Sequence, residues 1–158
     1  LPQANVFIAR LNLLPNGDTK KARTALDDAL KSKKIEPETR GEALMFRSAL
    51  REKPEERLAD LNEAIRLNPK HADAYYNRGL AWRNKGDYDR AIADYEAAGR
   101  FDEKVAEAYD LRAAMRTKAG DTSAAAADRS RAAEIRTAFA APASTAPTAG
   151  ATDPTFNP

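Results

Sequence analysis

Apolar and small residues recur along this chain at intervals of three and four, with polar residues between them. The pattern is clearest over residues 72–105. There Tyr75, Gly79 and Trp82 are spaced by four and three, and after Gly86-Asp87 the same spacing returns in Ala91, Tyr95 and Ala98. Each set makes one narrow stripe on a helix. Gly86 is free to take φ > 0 and end a helix, and Asp87 is a good N-cap for the next. The segment is predicted to be an antiparallel helical hairpin. Gly79 and Ala91 leave room for two backbones to approach, while Tyr75, Trp82 and Tyr95 fill the space beside them.

Related units lie on both sides. Tyr109 and Gly120-Asp121 repeat Tyr75 and Gly86-Asp87 in a unit at 106–139, where Ala113, Ala125 and Ala132 supply the small positions. Arg129 replaces Tyr95 there and reads as a polar cap on the last helix of a stacked array; Arg116 replaces Trp82. A unit at 38–71 ends in Ala64-Ile65-Arg66-Leu67-Asn68-Pro69, with Leu61 in the place of Tyr95 and Met45 in that of Gly79. Its turn is Glu52-Lys53-Pro54, where proline breaks one helix and starts the next. The unit at 3–36 is the most degenerate. It keeps Gly17-Asp18, Ala22, Leu26, Ala29, Val6 and Leu13, but Arg10 stands where Gly79 would be, so its first helix is expected to be rotated or loosely packed. The expectation is an all-α fold of eight helices in four antiparallel pairs over residues 3–139.

The order Tyr75, two residues, Arg78-Gly79, two residues, Trp82, then Ala91, three residues, Tyr95 closely resembles the tetratricopeptide repeat, whose period is about 34 residues. The chain departs from that pattern in having Arg78 for the usual leucine and Glu103 near the usual proline. The resemblance implies an α-solenoid of stacked helix-turn-helix hairpins, a right-handed superhelix with each first helix lining the inner groove. It also implies a non-enzymatic protein–protein interaction module that binds a partner polypeptide segment in the concave groove.

Groove residues follow from the stripe. With Tyr75, Gly79 and Trp82 facing the partner helix, Tyr76, Asn77, Leu80, Arg83 and Asn84 point elsewhere. The same positions in neighbouring units include Glu42 and Phe46 before, Asp110 and Leu111 after, and Phe7, Leu11 and Leu14 in the first unit. The expected peptide-binding groove comprises Phe46, Tyr76, Asn77, Leu80, Arg83, Asn84 and Leu111; the alternative for any one of them is packing between hairpins. Some tetratricopeptide proteins grip a terminal carboxylate through Lys, Arg and Asn on these helices. Here Glu42 and Asp110 flank Asn77 and Arg83 and would oppose an anion. An extended segment with apolar side chains and a basic residue fits better.

Composition narrows the alternatives. Net charge is +2 with 32% charged residues, which lacks the clustered basic excess of a nucleic-acid binder. A helical-repeat RNA binder, the runner-up, would need Lys and Arg along the groove. No apolar run approaches the 18–20 residues or so that span a bilayer, so no transmembrane segment is expected. Cysteine is absent, which removes disulfides and thiolate chemistry. The chain starts at Leu1, compatible with a removed signal peptide, so exported or periplasmic and cytoplasmic locations both stay open.

Catalytic and metal chemistry is thin, and neither a cofactor nor a metal site is expected. His71 is the only histidine and reads as a solvated connector. Asp87, Asp89, Asp94 and Glu96 read as a solvated helix face, since Asp60 and Asp128 repeat Asp94 in other units. Residues 140–158 hold Pro142, Pro147, Pro154 and Pro158 among Ala, Thr and Ser. That composition predicts a flexible tail, with Phe156 as its one foothold for self-association through a groove.

Overall fold

Asp18, Asp87 and Asp121 each accept a backbone N–H from the turn that follows, and Pro54 occupies the first turn of its own helix. These four signals start the second helix of every hairpin. The computed structural model describes residues 1–140. It contains α1 (Pro2–Asn12), α2 (Thr19–Lys31), α3 (Pro37–Ala49), α4 (Pro54–Leu67), α5 (Ala72–Asn84), α6 (Tyr88–Ala98), α7 (Glu103–Lys118) and α8 (Thr122–Ala140). The described residues are all helix and turn, and the four turns fall where the sequence places them. The expected flexible tail lies outside the described residues, except Ala140, which ends α8.

Helices pair within each hairpin, and the second helix of each hairpin packs on the first helix of the next. Beyond these, α1 meets α3 and α3 meets α5. The first helices α1, α3 and α5 therefore approach one another along one side of the array, called the inner face below.

At the crossing of α5 and α6, a Cβ added to Gly79 would lie 2.6 Å from the Tyr95 ring and 3.0 Å from the Ala91 carbonyl oxygen. The large ring on one helix requires the missing side chain on the other. Where Leu61 replaces Tyr95, the opposite position accommodates Met45, 8% exposed. In the first hairpin, Ala9 rather than Arg10 is buried at the crossing. The longer connection from Asn12 to Thr19 shifts α1 by one residue, and Asn16 rather than Gly17 takes the left-handed φ of 69°. Arg10 is thereby turned out of the crossing and is exposed.

Two expectations about side chains are corrected. Trp82 is half-buried, packed between two core clusters, with the Arg90 guanidinium 4.6 Å from its ring centroid. The α5–α6 core is instead centred on Tyr95, which is fully buried. Arg129 does not cap the outer face: it reaches back to donate to the Thr117 hydroxyl at 2.8 Å.

The larger correction concerns the aspartates. Asp60, Asp94 and Asp128 are 6%, 5% and 3% exposed, not solvated. Each receives a two-pronged guanidinium from the first helix of its hairpin: Arg47 at 2.7 and 2.9 Å, Arg78 at 2.7 and 2.8 Å, and Arg112 at 2.7 and 3.0 Å. These arginines also reach back to the preceding hairpin. Arg78 donates to Asn62, Arg112 to Asp89, and Arg47 lies 3.9 Å from Asp27. A planar fork is suited to this bridging. It explains Arg78, which stands where a leucine is usual.

Candidate groove on the first helices

Asn77 and Phe46 come together across the α3–α5 contact. They line a depression of ≈ 320 Å³ with Arg10, Met45, His71 and Asp73. Glu42 lies in its wall and, with Arg10, continues into a second depression of ≈ 220 Å³ that includes Phe7 and Thr39. The two hollows run along the inner face from α1 to the start of α5. The Asn77 amide donates to the Met45 sulfur at 3.4 Å, a weak contact that fixes the orientation of the side chain at the wall. Phe7 is 60% exposed and Phe46 half-exposed, so the surface offers two aromatic faces among polar groups.

The remaining expected groove residues go elsewhere. Tyr76 is 7% exposed and belongs to the core. Its ring lies 5.5 Å from that of Tyr95, the Arg100 guanidinium covers its other face at 4.0 Å, and its hydroxyl donates to Asp102. Position 76 is where neighbouring hairpins meet, and a tyrosine there is long enough to be enclosed. Leu80 is half-buried against the same cluster. Arg83 is engaged by Glu107 on α7. Asn84 is exposed at the end of α5, and Leu111 on α7 is 39% exposed. Thus Phe46 and Asn77 share one hollow, while the other five do not enter it.

Arg10, His71 and Asp73 were missed as groove residues. Arg10 was misplaced by the one-residue shift of α1, and His71 sits in the connector that forms the rim. The four carboxylates read as one helix face are also dispersed: Asp87 caps α6, Asp89 meets Arg112, Asp94 meets Arg78, and Glu96 accepts from the Tyr109 hydroxyl.

The enclosure of Tyr76 has a titration signature. Burial first, then the hydrogen bond to Asp102, pushes its phenol up to about 12. Burial likewise pushes Tyr95 up. Because the folded value is raised, the contribution to stability is complete below the ordinary tyrosine value of about 10. It is lost as pH rises through about 12. Phenolate absorbance should therefore show a late tyrosine fraction that coincides with alkaline unfolding. Tyr76→Phe should remove part of it. Titration of every tyrosine near the ordinary value would refute the enclosure.

Residues 51–106 match the family model described as tetratricopeptide repeat. Two solved structures have a similar fold. One, described as MamA, aligns with a TM-score of 0.64 at 20% identity, covering 88% of this chain and 80% of that one. Another, described as MamA protein, aligns with a TM-score of 0.50 at 22% identity, covering 86% and 75%. No curated protein matches the chain. No helix among the described residues is long and apolar enough to cross a membrane.

Proposed function

We propose that this chain, whose residues 51–106 match the tetratricopeptide-repeat model, is a non-enzymatic interaction module of that kind whose inner groove binds an extended partner polypeptide. The carrying observation is the pair of adjoining hollows from Phe7 to Asn77, which share Arg10 and Glu42. An exposed aromatic, Phe7, and a half-buried one, Phe46, in a concave, partly polar setting suit a peptide ligand. Phe46 and Phe7 would take apolar side chains, and Asn77 can donate to or accept from the ligand backbone. Glu42 and Asp73 favour a basic residue in the ligand. They also disfavour a phosphate backbone, which is drawn to an uninterrupted cationic track.

Peptides selected from a random display library on the immobilised protein provide the test. A selected peptide should lose tenfold or more in affinity, on the order of 1.4 kcal/mol, on Phe46→Ser or Asn77→Ala. Circular dichroism is the fold check for both. Asn77→Ala should leave it unchanged, while Phe46→Ser also removes packing against two core clusters, so Asn77→Ala is the cleaner reading. Undiminished binding by both folded variants would move the site off this groove. Tyr76 is unsuitable for this purpose, since its replacement would disturb the core.

A further inference from the structure

A hollow of ≈ 470 Å³, larger than either depression on the inner face, lies at the turn edge of the array, between the α5–α6 turn and the end of α7. Its size is that of many small-molecule sites. At the α4–α5 junction the corresponding place is closed. There Ala81, 34 residues before Met115, is 3% exposed, and Trp82 packs against the core clusters on both sides. At the α6–α7 junction Arg116 stands in place of that tryptophan. Its guanidinium is drawn aside to Asp128 at 2.9 Å and toward Asp89 at 3.8 Å. The space beside it stays open, and Met115, in its wall, is 54% exposed. The hollow is thus particular to this junction and not a consequence of the hairpin fold.

Tyr88 and Ala119 continue the apolar wall begun by Met115. The charged groups around it divide by depth. The cations are recessed: the side chains of Arg112, Arg116 and Lys85 are 17%, 32% and 36% exposed. Asp89 projects into water at 77%, and so does Glu55, at 73%, which takes the Lys85 ammonium. Asp87 is occupied with its own helix, where it accepts the Arg90 backbone N–H at 3.1 Å. Arg112 is fully engaged, with three of its nitrogens donating to Asp128 and Asp89. Arg116 makes one hydrogen bond among the described residues, so part of its planar fork is unspent. A recess with an apolar wall and a free guanidinium edge suits an anion attached to an apolar body.

We propose that this hollow binds a small amphipathic carboxylic acid. The apolar body would lie against Met115, Tyr88 and Ala119, and the carboxylate would receive the free donors of Arg116 beside the Lys85 ammonium. The Met115 thioether adjusts to varied apolar shapes, so the acid is specified by its head and size more than by its outline. A cationic head would meet the recessed arginines and be turned away. The site shares no residue with the two hollows of the inner groove, so it stands or falls apart from peptide binding there.

Titration of the full chain with N-acetylphenylalanine, followed by amide NMR shifts, tests this, with N-acetylphenylalaninamide as the uncharged control. The acid should give saturable shifts in residues 85–89 and 112–119 at millimolar affinity, and the amide should bind at least tenfold more weakly. Arg116→Gln should lower affinity for the acid at least tenfold, with the fold held because Asp128 keeps both prongs of Arg112. Met115→Trp should abolish binding by filling the hollow, and it carries the test if circular dichroism shows that Arg116→Gln does not fold. No saturable shift, equal affinity for acid and amide, or shifts confined to the inner face around Phe7, Phe46 and Asn77 would overturn the proposal. So would undiminished binding by the folded variants.

Discussion

Tyr95→Ala is expected to cost the array about 3–5 kcal/mol, the range for removing a large buried aromatic. The side chain is fully buried, lies over the bare backbone of Gly79, and forms a tilted pair with Tyr76 at 5.5 Å between centroids. Removing it opens a cavity at the α5–α6 crossing, where the ring lies over bare backbone. Stability in a stacked array is shared between neighbours, so the loss should extend to the α3–α4 and α7–α8 hairpins. Tyr95→Phe separates packing from polarity. The Tyr95 hydroxyl is buried without a hydrogen-bond partner among the described residues, so its removal should be neutral or stabilising. Trp82→Ala should cost less than Tyr95→Ala, because Trp82 is half-buried where Tyr95 is fully buried. Urea melts of the three variants check the order. A Trp82→Ala cost above that of Tyr95→Ala would contradict this account of the core.

Asp94→Ala should cost about 3 kcal/mol, as the loss of one partner from a buried ion pair does. It would leave Arg78 without the carboxylate that receives both of its prongs. The lower end of the usual range is expected because the Arg78 side chain is 22% exposed and can turn partly toward water. Asp94 also holds the Arg78 guanidinium further above its ordinary value. Replacing both residues by leucine should restore most of the loss, since a well-packed apolar pair can equal a buried ion pair. A double variant no better than Asp94→Ala would show that the pair stabilises beyond its own geometry. The ladder of Arg47, Arg78 and Arg112 joins each hairpin to the one before it, so loosening one rung should also lower cooperativity in the melt.

The hairpins were legible in the sequence because their signals are local. Gly86-Asp87, Gly120-Asp121 and Pro54 act within one turn of chain, and the Gly79–Tyr95 size match survives in altered form as Met45–Leu61. Which face each side chain finally occupies was less legible, for two physical reasons. In α1, a connection longer than its counterparts moved every position by one residue, so Ala9 took the crossing and Arg10 entered the groove. In α5, Tyr76 sits at a position that meets the neighbouring hairpin as well as the inner face, and Arg100 and Asp102 draw it inward. The buried aspartates left a trace in their recurrence as Asp60, Asp94 and Asp128. That recurrence matches a solvated stripe equally well until Arg47, Arg78 and Arg112 are seen to converge on them. An arginine sixteen residues before the aspartate, present for Asp94 and Asp128, was the signal available.

The groove on the inner face of the first helices is the central functional claim, and hydrogen–deuterium exchange with a library-selected peptide tests it most directly. Bound peptide should slow exchange in α1, α3 and the first turns of α5, around Phe7, Phe46 and Asn77, and leave α2, α4 and α6 unchanged. Protection confined to the second helices, with the first helices exchanging as in the free protein, would contradict the claim.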